Sequence, residues 1–320
     1  MKYKSDRIFL NDISKLWLEK KQYEISETTY TIYYTNIKNH IEPYFQNIFI
    51  SEIDTVIVNN FVKEKLERGK LNASGGLSVE RVKVLYYILK NILYCANSMG
   101  YITQNIEKIR FPQKKQVQIE ILSAEQQKQL EQVLYEDKTI YKIGIIICLY
   151  TGIRIGEVCA LKWKDIQFEN AMLHIHKTVC RTKDFSESER KTKLIVKEPK
   201  TKHSVRYIPL GFALLEYLKK YKQEDDYFIL NKSRVKSLDP RTYQNQFYSY
   251  LKKCNIKKMK FHILRHTFAT RWIENNCDIK SLSEILGHSN ITITMNTYVH
   301  PTMELKREGM KKLEQSQKFL

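Results

Sequence analysis

Along roughly the first hundred residues, apolar positions recur at three- and four-residue intervals, and the polar positions between them are rich in lysine. "IFLNDISKLWLEKKQY" predicts one helix. "SETTYTIYYTNIKNHIEPYF" predicts another, which Pro43 is expected to end because proline cannot continue the hydrogen-bond ladder. "SEIDTVIVNNFVKEKLERGK" reads as a third, stopped at Gly69. The loop "LNASGG" separates it from "SVERVKVLYYILKNILYCANSMG", a fourth helix capped by Ser78 and closed by Gly100. This half, residues 1–110, is expected to be a four- to five-helix domain with Lys-rich faces.

The segment "RFPQKKQVQIE" has no period, carries a proline and is basic, which places a linker at 111–121. A second domain should fill 122–320. Ser123 to Gln126, "SAEQ", has the form of a capping box. A buried helix is expected at 140–150, broken at Gly152, and a further helix over "GEVCALKW". The period then shifts to two: "AMLHIHKTV", "KLIVKEP" and "SVRYIPL" read as short strands, joined by the charged loop "CRTKDFSESERKT". From about residue 211 the helical period returns, and no internal repeat or low-complexity tract interrupts it.

Charge narrows the field. Lys plus Arg number 54 against 35 for Asp plus Glu, a net +19. An AT-rich genome raises lysine content too, but not the net charge this far, so a polyanion is the expected partner and nucleic acid the first candidate. The six cysteines are scattered with no C-x-x-C pair, which argues against a disulfide framework or zinc knuckle and fits a reducing compartment. "MKYKSDRIFLNDISKLW" lacks the apolar run of a signal peptide, and "IGIIICLY" (143–150) is too short to span a bilayer. The expectation is a soluble, cytoplasmic, nucleoid-associated protein.

Chemistry concentrates in "FHILRHTFATRW" (261–272). On a helix, His262, Arg265 and His266 share one face, and a cation among apolar residues asks for an anion. Three further stretches join it. "TGIRIGEVCALKW" carries Arg154 and Glu157, "PKTKHSVRYIP" presents Lys200 before a strand, and "LGHSNITITMNTYVHP" holds His288 with Tyr298 ten residues on. Each alone has an ordinary structural reading as a helix junction, a solvated lysine or a packed tyrosine.

Together they resemble the tyrosine recombinase (phage integrase) family. Its signature is T-G-x-R-x-x-E, a hairpin lysine, H-x-L-R-H-T, L-G-H and a following tyrosine, here in the same order and at similar spacing. The resemblance covers essentially the whole chain. Departures are minor: Gln46 and Asn276 stand where the family often has glycine, and "QNI" replaces a frequent Asn-Pro near residue 105. Asparagine is the next best residue for a left-handed cap, so Asn276 keeps the fold credible.

The resemblance implies an all-α, SAM-like core-binding bundle followed by a mainly α catalytic domain with a small antiparallel β-sheet (α+β). It also implies breakage and rejoining of duplex DNA through a 3′-phosphotyrosyl intermediate. Tyr298 is then the nucleophile, and Arg154 and Arg265 clamp the phosphorane oxygens and favour the ionised phenol. Lys200 protonates the leaving 5′ oxygen, His262 and His288 bind phosphate or move a proton, and Glu157 orients an arginine or its helix. His266 should pack or hydrogen-bond inside the domain, and Trp163, Trp272 and Tyr150 should be core.

Because the covalent bond conserves the energy of the broken link, no ATP is needed, and no "GxxxxGK[ST]" is present. A catalytic metal is not expected. "HILRH" lacks the zincin glutamate, and the "HIH" pair (174–176) is an incomplete site. Expected partners are double-stranded DNA at core sites, a homotetramer on paired sites, and accessory excision or DNA-bending factors, with no membrane. The charged segment at 177–198 resembles the hairpin insertion of conjugative-transposon integrases. The chain's early start into the core-binding helices argues against that branch's separate arm-binding domain and leaves dimer-resolving and phage enzymes open. The rivals are a type IB topoisomerase-like relaxing enzyme and a non-catalytic DNA-binding regulator. The tail "PTMELKREGMKKLEQSQKFL", with Met303, Met310 and Leu313 at helical spacing, is a candidate for docking on a neighbouring protomer.

Overall fold

The structure, a computed structural model, describes residues 7–101, 105–113, 119–186, 191–199, 202–298 and 303–316. The chain divides into two compact units, one of residues 1–117 with 182–192, the other of 118–181 with 193–320.

The first unit contains α1 (Leu10–Glu24), α2 (Glu27–Asn36), α3 (Glu42–Phe45), α4 (Thr55–Arg68) and α5 (Val79–Ser98). In α1 the buried positions Leu10, Ile13, Ser14, Trp17 and Leu18 follow the spacing of one helical face. In α5, Val82, Leu85, Ile88, Leu89, Ile92, Leu93 and Ala96 make a wider stripe. Asp54 caps α4 by accepting from the Ile57 amide at 2.8 Å, and Ser78 caps α5. Pro43 does not end the second predicted helix. The backbone widens into a π-helical turn over Ile37–Ile41, with the Glu42 amide donating to the Ile37 carbonyl, and Pro43 then sits in the first turn of α3, where its missing N–H is tolerated. Also within this unit, Phe185 lies edge-on to Tyr30 and Tyr34, each at 5.1 Å, and the Thr31 and Thr182 hydroxyls are 2.7 Å apart.

The second unit is built around α7 (Tyr141–Thr151), a helix buried on nearly every side, as its unbroken apolar run requires. Around it lie α6 (Ala124–Glu136), α8 (Ile155–Val158), α9 (Phe212–Lys219), α10 (Pro240–Lys253) and α11 (Ile263–Glu274). Then come α12 (Ile279–Leu286), α13 (Ile291–Tyr298) and α14 (Met303–Ser316). Ser123 and Gln126 form the expected capping box of α6. The helix expected over "GEVCALKW" is only the short α8, because the chain turns at Cys159 and winds a 3₁₀ turn at Trp163–Asp165.

Strands β1 (Ile166–Gln167), β2 (Met172–Ile175) and β5 (Arg206–Pro209) form an antiparallel sheet in that spatial order, pairing Leu173 with Ile208 and Ile175 with Arg206. Strands β3 (Thr178–Lys183) and β4 (Thr192–Lys197) form a separate pair. Cys180–Lys183, expected in the charged loop, therefore belong to a strand. Trp163 is fully buried and Trp272 half-buried, whereas Tyr150 is not core: it is 45% exposed and donates to Glu131 at 2.8 Å. Among the described residues no helix is long and apolar enough to cross a membrane.

Candidate active site

Two left-handed helix caps aim the chain at the site. Gly152, with φ +66°, ends α7 and delivers Arg154 to the N-cap of α8. Gly287, with φ +65°, ends α12 and delivers His288. A side chain at either position would be strained by the backbone alone, and at Gly152 a Cβ would also stand 2.5 Å from the Phe268 ring.

Arg265 projects from α11 and is 1% exposed. Its guanidinium donates to the Gly152 carbonyl at 3.0 Å and the Leu286 carbonyl at 2.9 Å, and lies 2.7 Å from His288 Nε2. Arg206 of β5 donates from Nε to the Ile285 carbonyl at 2.5 Å, and Arg154 Nη2 reaches the Gly287 carbonyl at 3.3 Å. Three consecutive carbonyls at the end of α12 thus face three different guanidiniums. The negative end of the helix dipole and its unpaired carbonyls offset the repulsion among cations packed so closely.

Glu157 is the carboxylate among them, with its side chain 4% exposed. Its Oε1 accepts from Arg154 Nη1 at 2.9 Å and Arg206 Nη1 at 3.2 Å; its Oε2 accepts from Arg206 Nη2 and the Arg154 amide, both at 2.9 Å. Burial pushes this carboxyl up, but the two arginines outweigh it and hold it below the usual range. Burial and then the Arg154 charge pull Arg265 down to about 9, which leaves it protonated at neutral pH.

The histidines take distinct places. Since Arg265 donates to His288 Nε2, that nitrogen carries the lone pair, and Nδ1–H then donates to the Thr294 hydroxyl at 2.8 Å. Burial, with Arg265 and Arg154 next, lowers His288 to about 4, and burial, then His266 and Arg265, does the same to His262. Both rings are neutral at pH 7. The His262 ring meets His266 edge-on at 4.6 Å.

His266 Nδ1 is 2.8 Å from the Tyr298 hydroxyl, the contact nearest the expected nucleophile. Burial also lowers His266, so its Nδ1 is available as an acceptor for the phenol proton. The expectation that nearby arginines leave the phenol readily ionised meets an opposing effect. Burial raises the Tyr298 pKa, and the Arg265 and Arg154 charges only partly counter it. The proton on Tyr298 therefore needs an acceptor.

Arg154, Glu157, His262, Arg265, His288 and Tyr298 thus come together. Lys200 lies outside the described residues. Reading the sequence missed Arg206, Thr294 and the position of His266 against Tyr298. Alternation along "VRYIP" held a signal for the first: if Ile208 faces inward, so does Arg206, and a buried arginine demands a carboxylate. His174 and His176 stack on each other at 4.5 Å, and His174 on Tyr207 at 4.3 Å. Among the described residues no three His, Cys, Asp or Glu side chains group as a metal site.

Residues 120–304 match the model of the phage integrase family, and residues 9–66 that of the phage integrase N-terminal SAM-like domain. A tyrosine recombinase XerC-like protein of Caldanaerobacter subterraneus is 27% identical over 96% of this chain and 83% of its own. The ICEBs1 integrase of Bacillus subtilis is 24% identical over 88% and 77%. Among solved structures, the Tn1549 transposon integrase in complex with transposon right-end DNA superposes with a TM-score of 0.74 at 22% identity, covering 96% of this chain and 99% of that one. A lambda integrase dimer bound to a core site gives 0.65 at 19% identity, covering 91% and 77%. These two likenesses establish the fold: a SAM-like helical domain and a mainly helical domain with small sheets.

Proposed function

Given that the chain belongs to the phage integrase family of tyrosine recombinases, whose members break and rejoin DNA, we propose that it does so at paired core sites to integrate and excise a mobile element. The observation that supports this most directly is the setting of Tyr298. A half-buried phenol has its proton acceptor in place and lies near a cluster with more guanidiniums than carboxylates.

The chemistry follows from that setting. Tyr298 Oη attacks the scissile phosphorus while its proton passes to His266 Nδ1, forming a 3′-phosphotyrosyl bond and releasing a 5′ hydroxyl. Arg154, half-exposed, and Arg265 beneath it stabilise the charge that grows on the non-bridging oxygens. Lys200 protonates the departing oxygen. His288, neutral and bonded to Arg265, orients the clamp, and His262, neutral and edge-on to His266, stands at its margin. Reversal of the same step on a new 5′ hydroxyl rejoins the strand.

The likeness to the Tn1549 transposon integrase named above supports the mobile-element reading over DNA relaxation alone. The DNA-bound and tetrameric states recorded for lambda integrase support duplex DNA and a homotetramer as partners here. Accessory factors and docking of the α14 tail on a neighbour remain part of the proposal. α14 presents Met303, Met310 and Leu313 to solvent, as such docking needs.

The test uses a nicked duplex carrying any inverted repeat around a short spacer found in the DNA beside the gene. In excess EDTA and without nucleotide, the protein should become covalently attached to a 3′ end. Tyr298→Phe should bind the same duplex and give no adduct. Adduct formation by that variant would move the nucleophile elsewhere.

A further inference from the structure

We propose that Arg206 is a positioning residue for strand cleavage: it occupies Glu157 so that Arg154 stays free to serve the phosphate. The inference rests on the reading of Arg154 as a phosphate ligand given above.

Glu157 lies between two guanidiniums that are not equivalent. The Arg206 side chain is 6% exposed and that of Arg154 38%. Arg206 spans both carboxylate oxygens at 2.9 and 3.2 Å and gives two further N–H donors to the Ile285 and Ser204 carbonyls, the latter at 3.0 Å. Four of its five N–H donors are thus engaged inside the protein and the side chain is buried, so Arg206 is poorly placed to bind phosphate itself. Arg154 gives the carboxylate one side-chain donor, and its second bond, to Gly287, is long. It holds donors in reserve on a partly exposed fork.

Electrostatics gives this sharing a purpose. With Glu157 and Arg154 alone, the pair is neutral, and the carboxylate's better geometry is a two-pronged grip on Arg154 that competes directly with phosphate. A second, buried guanidinium takes that grip and restores a net positive charge facing the DNA. Arg206 also ties β5 to the end of α12, where the Leu286 and Gly287 carbonyls hold Arg265 and Arg154. Removing it therefore weakens the clamp in charge and in alignment together.

Single-turnover cleavage of the nicked duplex tests this, with wild-type protein and Arg206→Met, Arg206→Lys and Arg206→Met/Glu157→Gln variants. Arg206→Met should cleave about 10–100-fold more slowly, the range seen when a residue supporting a direct ligand is lost, while gel-shift affinity stays near wild type. On a duplex with a neutral methylphosphonate at the scissile position, the loss should largely vanish, since that linkage lacks the charge Arg154 serves. Adding Glu157→Gln should restore part of the rate on ordinary DNA by removing the competitor.

Arg206→Lys keeps a cation in the niche but cannot span both oxygens. It should show the same substrate dependence at smaller amplitude, and it carries the test if the methionine variant does not fold. Equal losses on both linkages, or no gain from Glu157→Gln, would reduce Arg206 to a fold contact and overturn the inference. Arg154→Ala serves as the control. Its cleaving at the wild-type rate would remove the underlying reading instead.

Discussion

The buried face of α5 is Val82, Leu85, Ile88, Leu89, Ile92, Leu93 and Ala96, whereas that of α11 is Ile263, Leu264, Arg265, Thr267 and Ala269. Both helices pack against neighbours in a closed interior. The α5 face needs partners that are merely apolar and of fitting shape. The α11 face needs named hydrogen-bond partners: the Gly152 and Leu286 carbonyls and a histidine ring to accept from Arg265, and the Leu122 amide, which donates to the Thr267 hydroxyl at 3.0 Å. An apolar interior tolerates rearrangement, while a polar one is satisfied in a single geometry or not at all. The two faces should therefore fail differently when altered.

The largest contrast is expected at the site. Lys200→Ala should slow cleavage by about 10²–10⁴-fold, the usual worth of a positioned acid, and recover most of that rate when sulfur replaces the bridging 5′ oxygen. Arg265→Ala should lose about 10²-fold or more and recover nothing on the sulfur duplex, because the phosphorane charge still needs its clamp. Duplex affinity should change far less in both. A Lys200→Ala defect that persists with sulfur would assign the acid elsewhere, with Lys202 first to examine.

In the first unit the response should be one of stability. Phe61 is fully buried among Tyr44 and Phe45, with ring centroids at 5.0 and 5.1 Å. Phe61→Ala should lower unfolding free energy by about 3–5 kcal/mol while the cleavage rate of the remaining folded protein holds. Urea titration alongside a single-turnover assay separates the two. A rate loss in proportion to Arg265→Ala would erase the distinction between the regions.

The smallest expected effect is on pH. His262 and His288 are held near 4 against an ordinary 6.5, so between those values the unfolded chain binds protons that the folded chain refuses. Their contribution to stability is complete above about 6.5 and is lost as pH falls toward 4. The urea midpoint should decline across that window, and His262→Gln with His288→Gln should flatten the decline. An unchanged slope in the double variant would place the titration in other groups.

How legible the molecule was in its sequence follows the same division. Helix ends set by one residue were plain: Ser78, Ser123 and Gly152 each act through a local backbone requirement. The site's members were legible as a pattern of spaced motifs. Arg206 was not, because its partner Glu157 lies 49 positions away and only the closing of the sheet brings them together. The balance at Tyr298 was hidden for a related reason, since burial is a property of the packed whole and not of a neighbour in sequence. Tyr150 misled because its apolar flanks imply a core position, yet it falls on the one exposed side of an otherwise enclosed helix. Pro43 misled because a local widening of the helix absorbs what proline ordinarily forbids.

The three carbonyls that end α12 belong to the main chain, so no exchange of side chains at Ile285 or Leu286 deletes them. Anyone diversifying this protein, for instance to redirect it to new DNA, can vary position 285 with the arginine anchorage intact. Position 287 is the exception: it must keep both its left-handed turn and the space in which a Cβ would stand 3.0 Å from Arg206 Nη1. An amide-to-ester replacement just after Leu286, which weakens that carbonyl as an acceptor without altering any side chain, would address the anchorage directly. The order of the arginine cluster is written in the trace of the backbone, and it passes unchanged to any sequence that preserves the turn.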